Sequence, residues 1–254
     1  FARNLNSEVH IFRTINFSSA TTPNQCHMAI SVEVDKRGGK NYGPPAGHCL
    51  TVFIDDMSMP EPNEWGDQPT LELVRQVVGQ YAMCFLETER RGDMKLLQDT
   101  RFVCAMRTPA GGHNRISSRV QSLFFTLHLL QPSNSTINNI FRPVIKAHLA
   151  QHEEEFSTDV VEATKKLITP TLKLWQWARR TLLPTPSKAH YQFSLRDMFR
   201  IFQGIVRVDT LAGKKSLLQL WQHEVCHSMQ DRLVNAKDKD ALRKQLDEVT
   251  RTAF

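Results

Sequence analysis

Two adjacent carboxylates follow an apolar run in the first third of the chain. The run Leu50-Thr51-Val52-Phe53-Ile54 is apolar or β-branched throughout, and Asp55 and Asp56 come directly after it. Such a run is typical of a strand buried on both faces of a parallel sheet, and open α/β sheets bind ligands at the carboxyl ends of their strands. In nucleotide hydrolases the first acid of such a pair reaches the Mg²⁺ on the phosphates, and the second aligns the attacking water. The alternative is a strand followed by an acidic turn.

A second group of residues with possible chemistry lies near the other end of the chain. His223-Glu224-Val225-Cys226-His227 spells H-E-x-x-H, the zinc metalloprotease motif, within a predicted helix. His223 and His227 are each two residues off the apolar stripe of this helix, which is ~200° of rotation. That stripe consists of Leu217, Trp221, Val225 and Met229. The two histidines are therefore expected to point away from the packed side, and zinc proteolysis through His223, Glu224 and His227 is the less favoured hypothesis.

Composition restricts the class of protein. The 254 residues are 41% hydrophobic and 23% charged, as in ordinary globular domains, and no apolar run approaches the ~20 residues of a membrane span. The net charge is +6, but basic and acidic residues alternate, which favours a solvated surface over a nucleic-acid face. Five widely spaced cysteines without a CxxC predict reduced thiols. The first residue is Phe1, which suggests a fragment or a processed chain.

The first half alternates short apolar runs with longer amphipathic stretches, the βα rhythm of a doubly wound sheet. Residues Thr70 to Tyr81 have helical spacing, and the glycine- and proline-rich stretch Lys36 to Gly47 is expected to be a turn or a flexible loop. The predicted strands are Val9 to Phe17, Leu50 to Ile54, Arg101 to Met106 and Phe124 to Leu130.

The second half is predicted to be helical. Four apolar stripes begin at Ile137, Val160, Leu195 and Leu217, with Ser133 or Ser135 as the cap of the first. Pro170 is expected to kink or split the second helix. The predicted organisation is therefore an α/β core over residues 1–132 and a helical subdomain over residues 133–254.

Seven distinctive phrases occur in order along the chain. They are Ile15-Asn16-Phe17-Ser18-Ser19-Ala20-Thr21-Thr22-Pro23, Tyr42-Gly43-Pro44-Pro45-Ala46-Gly47, Phe53-Ile54-Asp55-Asp56-Met57-Ser58-Met59-Pro60, Glu64-Trp65-Gly66-Asp67-Gln68, Pro109-Ala110-Gly111-Gly112-His113-Asn114, Leu183-Pro184-Thr185-Pro186-Ser187-Lys188 and Phe193-Ser194-Leu195-Arg196-Asp197. Together they resemble one family, the AAA+ motor ring of dynein heavy chains. The set most resembles the third AAA+ module of an axonemal heavy chain, and the Trp-Gly-Asp-Gln phrase resembles the outer-arm type. The resemblance covers nearly the whole chain.

This resemblance implies roles for the acid pair. Asp55 looks like the Walker B acid that faces Mg²⁺, and Asp56 stands where many family members have the catalytic glutamate. Aspartate is one methylene shorter, so its carboxylate would sit roughly 1–1.5 Å farther back. Because small misplacements of reacting groups slow reactions strongly, the resemblance implies slow hydrolysis at best. The alternative is a site that holds nucleotide without hydrolysing it.

Three arginines match further family positions. Arg107 stands at the tip of the sensor I strand, where an asparagine is usual; it could contact phosphate but cannot orient water as an amide can. Arg119 looks like the arginine finger, which acts in trans on the neighbouring module's nucleotide. Arg196 resembles sensor II, which closes over the phosphates in cis. The alternatives are a surface arginine for Arg119 and a helix-start arginine paired with Asp197 for Arg196.

One family element is absent from the sequence. No G-x-x-x-x-G-K-[ST] phosphate loop occurs; Gly38-Gly39-Lys40 and Gly213-Lys214-Lys215-Ser216 lack the leading glycine and follow no apolar strand. In the family this loop lies upstream of Ile15, so the sequence is interpreted as truncated. The strand that feeds the loop lies between the sensor I strand and the last strand, so its loss predicts two unpaired strand edges. The chain alone is expected to bind nucleotide very weakly or not at all.

The resemblance implies an α/β fold: a P-loop-type (AAA+) doubly wound parallel sheet lacking its first strand and phosphate loop, followed by an α-helical lid. The function implied is that of part of an ATP-driven, minus-end-directed microtubule motor of cilia and flagella. The module would bind ATP or ADP with Mg²⁺ and regulate the ring rather than be the main hydrolysis site.

The resemblance also implies partners and a location. The partners would be neighbouring AAA+ modules of the same heavy chain, dynein intermediate, light intermediate and light chains, and microtubules, with any coiled coil elsewhere in the parent. No nucleic-acid or membrane partner is expected. The expected location is the cytoplasm, the cytoskeleton and the axoneme of a cilium or flagellum. The rival hypothesis is a non-motor AAA+ ATPase acting on nucleic acid, although no basic stripe with interleaved aromatics occurs.

Overall fold

A computed structural model of the protein describes residues 4–90, 92–151, 156–208 and 213–254. The chain divides into two compact units, Phe1–His128 and Leu129–Phe254. We call the first the sheet unit and the second the helical unit. None of the described helices is both long enough and apolar enough to cross a bilayer.

The sheet unit is built around a three-stranded parallel sheet in the order β1-β4-β7. A second sheet has the order β2-β3-β6-β5. The strands are β1 (His10–Asn16), β2 (Asp35–Gly38), β3 (Asn41–Gly43), β4 (Cys49–Asp55), β5 (Ala82–Cys84), β6 (Met94–Leu97) and β7 (Thr100–Cys104). The helices of this unit are α1 (Pro23–Ser31), α2 (Pro69–Gln80) and the short α3 (Ser118–Gln121).

Strand β4 lies in the middle of the parallel sheet and is its most buried element. Leu50, Val52 and Ile54 are all 0% exposed, and Thr51 between them is also buried. The prediction of an interior strand that ends at the acid pair is therefore confirmed. Strands β1 and β7 and helix α2 also confirm their predictions within one or two residues at each end.

The predicted strand Phe124 to Leu130 is wrong, because these residues form no strand. Phe124 is partly buried against the core of the sheet unit, but the apolar side chains after it face solvent; Phe125 is 90% exposed and Leu129 is 88% exposed. Among the described residues no strand pairs with the second edge of β7. Because a strand gains its hydrogen bonds only from a neighbour, a strand-like pattern without one stays irregular.

The expected loop Lys36 to Gly47 also needs correction, since it contains the antiparallel hairpin β2–β3. Gly39 at its turn has φ +58°, a conformation that favours glycine. Three of the four glycines that suggested a loop form the turn and the ends of two short strands, and Gly47 lies in the irregular segment before β4.

The helical unit consists of six α-helices in its described residues, packed on one apolar core. They are α4 (Asn134–Gln151), α5 (Thr158–Lys166), α6 (Ile168–Thr181), α7 (Leu195–Val206), α8 (Lys214–Val225) and α9 (Ala236–Ala253). A π-helical turn over Cys226–Gln230 continues α8. Ser133 caps α4 by accepting a hydrogen bond from the backbone N–H of Thr136 at 3.2 Å, so the first of the two predicted caps is confirmed.

Pro170 does not break the predicted second helix at its own position. The break lies at Leu167, between α5 and α6, and Pro170 occupies the third residue of α6. A proline in the first helical turn loses no hydrogen bond, because the N–H groups there have no intrahelical partner. The predicted split is therefore present three residues before the proline.

Candidate functional site

The acid pair lies at the carboxyl end of the central strand, between two neighbouring strand ends. Asp55 is in register with Asn16 of β1, and its backbone oxygen accepts a hydrogen bond from Phe17 N at 3.0 Å. On the other side, Met57 N donates to Ala105 O, just past β7, at 2.9 Å. Both carboxylates are partly exposed. The geometry therefore places two solvent-accessible acids at the sheet edge where open α/β folds bind ligands.

Asp56 has an unusual backbone conformation. Its φ is +53°, in the left-handed region that non-glycine residues rarely adopt and that aspartate and asparagine tolerate best. Asp56 O accepts from Met59 N at 2.9 Å, so residues 56–59 form a turn directly after the strand. The backbone thus supplies a reason for aspartate rather than glutamate at this position, and the sequence alone did not reveal it.

The donor chemistry of the pair fits Mg²⁺. Magnesium prefers oxygen ligands and is usually held by one or two carboxylates together with waters and substrate phosphates. The described residues contain no group of three or more His, Cys, Asp or Glu side chains arranged around one point. A pair of acids at a strand end therefore suits an ion that is shared with phosphates better than one caged wholly by protein.

The end of β7 carries Arg107 to the same sheet edge. Strands β4 and β7 run parallel with Ile54 opposite Cys104, and Arg107 follows three residues later with an exposed side chain.

Burial raises the pKa of the Cys104 thiol to about 12, with a further contribution from Cys26. Burial therefore favours the protonated form of this thiol over the nucleophilic thiolate.

Arg119 lies on helix α3, not at the start of a strand. Its side chain is exposed and forms no ion pair with the residues that the structure describes. The neighbouring Val120 is 0% exposed and belongs to the core of the sheet unit. The anchored helix therefore presents a free guanidinium at the surface, which both the arginine-finger prediction and the surface-arginine alternative require.

Arg196 lies in the helical unit, in the first turn of α7, with its side chain exposed. The alternative in which it pairs with Asp197 is wrong. Asp197 instead caps its own helix, accepting from Ser194 N at 2.7 Å. Its other oxygen lies 3.0 Å from Arg232 Nη2, an ion-pair distance without hydrogen-bond alignment.

The H-E-x-x-H residues also lie in the helical unit. The stripe Leu217, Trp221, Val225 and Met229 is 0% exposed throughout, whereas His223 and His227 are exposed, as the helical rotation predicted. His227 Nδ1 lies 3.3 Å from Asp231 Oδ2. His223, Glu224 and His227 line a cavity of about 740 Å³ between α7 and α8.

Two residues near the acid pair had no role assigned from sequence. His113 and Asn114, in the Pro109–Asn114 phrase, hydrogen-bond to the segment that follows Asp56. In the sequence this phrase contributes only to the family resemblance. The polar His-Asn pair after two glycines was the available signal, but its partners lie more than 50 residues away in sequence.

Comparison with known families gives two matches that together span most of the chain. A family model described as "P-loop containing dynein motor region" matches residues 1–132, slightly more than half of the 254 residues. A second, described as "AAA+ lid domain", matches residues 167–254. The chain is thus similar to an AAA+ core followed by its lid.

Individual relatives are similar over nearly the whole chain. The dynein gamma chain of the flagellar outer arm of Chlamydomonas reinhardtii is 37% identical, over 100% of this chain and 6% of its own length. Dynein axonemal heavy chain 5 of Mus musculus is 40% identical, over 94% of this chain and 5% of its own. Dynein axonemal heavy chain 8 of Homo sapiens is 38% identical over the same shares. The chain therefore spans only about one-twentieth of the length of these relatives.

Proposed function

Because the chain belongs to the family of P-loop containing dynein motor regions, we propose that it acts as a nucleotide-holding regulatory module of an axonemal dynein ring. The observation that carries this proposal is the position of Asp55 and Asp56 at the carboxyl end of the interior strand β4. The names of the most similar relatives, which are axonemal and flagellar outer-arm heavy chains, support the axonemal assignment.

In this proposal Asp55 faces the Mg²⁺ of a bound ATP or ADP, and the ion supplies positive charge to the phosphates. Asp56 lies next to it and aligns water poorly, because its carboxylate is shorter than that of glutamate. Arg107 contacts phosphate from the neighbouring strand end, and Arg196 has the sensor II role that the family resemblance implies. A module of this kind holds nucleotide for long periods and hydrolyses it slowly.

The module acts on its ring through neighbours. Arg119 contributes to the nucleotide site of the adjoining AAA+ module in trans, and the state of this module shifts rigid-body contacts around the ring. The resemblance of the matching phrases to a third AAA+ module supports a place as the third module, which regulates the main hydrolysis site and does not replace it. The parent heavy chain moves toward microtubule minus ends in cilia or flagella, together with intermediate, light intermediate and light chains.

The proposal predicts that the 254-residue chain alone binds Mg-ATP only weakly. Backbone amides and the lysine of a phosphate loop normally provide most of the phosphate contacts, and these residues contain no such loop. Titration of the isolated chain with a fluorescent ATP analogue and Mg²⁺ should show no saturation below ~1 mM, a ligand concentration that corresponds to ~4 kcal/mol of binding free energy. Micromolar affinity would contradict the weak-binding prediction and show that residues of this chain supply the phosphate contacts without such a loop.

A further inference from the structure

The turn that follows the acid pair is fixed by one neighbouring loop. Residues 56–59 turn directly after β4, and Met57 and Ser58 are 2% and 1% exposed. Backbone carbonyls in such a buried place need partners. Most of the partners come from Asn114, in the loop that leaves β7. The preceding residue, His113, contacts the hydroxyl of Ser58.

Asn114 satisfies three carbonyl groups of this turn. Its backbone N–H donates to Ser58 O at 2.7 Å, and its side-chain Nδ2 donates to Met59 O at 3.2 Å and to Pro60 O at 3.0 Å. Because the side-chain amide nitrogen of Asn114 has two hydrogens, it can donate to both of these carbonyls at once. Asn114 thus contacts the last two residues of the 56–59 turn and the proline directly after it, and we call these three residues the Ser58–Pro60 turn.

His113 and Gln68 complete the contacts. Ser58 Oγ lies 3.0 Å from His113 Nδ1, and Gln68 Nε2 donates to Pro60 O at 2.9 Å. Gly111 and Gly112 precede this pair with φ of +57° and +90°. Because these conformations favour glycine, they allow the loop to fold back so that His113 and Asn114 reach the turn.

The same loop is fixed to the turn at its other end. Ala105, directly after β7, donates to Ile54 O at 2.8 Å and accepts from Met57 N at 2.9 Å. Residues 105–114 are therefore hydrogen-bonded to the acid-bearing segment at both ends. Ala105 bonds to one residue before the acid pair and one after it, and the His113–Asn114 end bonds to residues after it. A segment held in this way has few alternative conformations, and the left-handed backbone of Asp56 requires such support because it is costly in isolation.

From these contacts we infer that His113 and Asn114 are positioning residues that hold the Asp55–Asp56 carboxylates in the orientation required for a Mg²⁺–phosphate ligand. This inference rests on the proposed function. Neither residue touches the ligand; both act through the turn at Ser58–Pro60. Their loss is expected to weaken the part of nucleotide affinity that depends on Mg²⁺ and to leave the metal-free part unchanged.

The test measures ADP affinity, with Mg²⁺ and with EDTA, in a full-length heavy chain that contains these residues. Asn114→Ala and the isosteric Asn114→Asp, which cannot donate to the two carbonyls at neutral pH, should each raise the dissociation constant for Mg-ADP by about 10-fold, as losses of residues that orient metal ligands do. The dissociation constant in EDTA should stay within about twofold for both variants. His113→Leu removes only the hydrogen bond to Ser58, so it should raise the dissociation constant for Mg-ADP by a smaller factor. It is the alternative variant for this test if Asn114→Ala does not fold.

Asn63→Ala is the matched control. Asn63 accepts from Trp65 N and Asp67 N in an exposed turn of the same region and does not contact the Ser58–Pro60 turn. This variant should leave both dissociation constants unchanged. Equal weakening with and without Mg²⁺ in the Asn114 variants would show a merely structural role and overturn the inference.

Asp55→Asn separates this inference from the proposed function. If Asp55→Asn removes the Mg²⁺ dependence and the Asn114 variants do not, the positioning role is wrong and the proposed function stands. If Asp55→Asn has no effect on that dependence, the proposed function is wrong, and the positioning role is overturned with it.

Discussion

Replacing Trp221 by alanine is expected to lower the free energy of unfolding of the helical unit by about 3–5 kcal/mol. The indole is 0% exposed at the centre of the helical core. Its Nε1 donates to Thr171 Oγ1 at 2.9 Å, and Thr171 is itself 0% exposed. The substitution therefore leaves a large cavity and removes a hydrogen-bond partner from a buried hydroxyl. Because a domain is stable by only ~5–15 kcal/mol, this is a large fraction of the total.

Urea denaturation of the 254-residue chain, followed by circular dichroism at 222 nm, measures this loss. Trp65→Ala is the matched control, because Trp65 is 84% exposed and the change should alter stability by less than ~0.5 kcal/mol. Trp221→Phe, which retains most of the apolar volume, should give an intermediate loss. A Trp221→Ala loss below ~1 kcal/mol, within the range of ordinary substitutions, would mean that Trp221 is not the centre of this core.

The second large effect is expected at the acid pair. In a full-length heavy chain that contains these residues, Asp55→Asn should weaken Mg-ADP binding at this module by at least ~10-fold. This loss should exceed that caused by removing a residue that only orients a metal ligand. Asparagine keeps the shape of the side chain but removes the charge that faces the ion. Affinity measured in EDTA should change little, because no ion is then present for the carboxylate to hold.

Asp67→Asn is the control for this experiment. Asp67 is an exposed acid 12 residues further along, and its side chain forms no ion pair with the described residues. The substitution removes the same charge without touching the strand end. If both variants weaken binding equally, the effect is one of net charge and not of the position at the end of β4.

Sequence predicted best the features that depend on local pattern. The continuous apolar run of β4 identified both its burial and the sheet edge at which Asp55 lies. The spacing of Leu217, Trp221, Val225 and Met229 fixed which face of α8 is buried, and hence that His223 and His227 face solvent. In both cases periodicity reports directly on which side chains leave water.

Sequence predicted less well the features that depend on distant partners. Phe124 to Leu130 has the composition of a strand, but no described strand lies beside β7 for it to pair with. Arg196 and Asp197 are adjacent in sequence, yet Asp197 pairs with Arg232, 35 residues later. The contacts of Asn114 with the turn at Ser58–Pro60 likewise join segments separated by more than 50 residues. Local propensity carries no information on these pairings.

The position of Asp56 shows how the two kinds of information combine. Sequence comparison identified it as a shortened acid where glutamate is common, and the structure adds that its backbone is left-handed. A left-handed backbone is tolerated best by aspartate, less well by longer unbranched acids, and least by β-branched residues. The shorter acid thus has a structural reason as well as the proposed catalytic consequence.

The most direct measurement is a high-resolution structure of a full-length heavy chain that contains these residues, with Mg-ADP bound at this module. We expect the Asp55 carboxylate to coordinate the Mg²⁺, either directly at ~2.0–2.1 Å or through one bound water. The Asp56 side chain should lie beside that of Asp55. Nucleotide and Mg²⁺ bound at another edge of the sheet, with Asp55 and Asp56 contacting neither, would contradict the assignment of this acid pair to a nucleotide site.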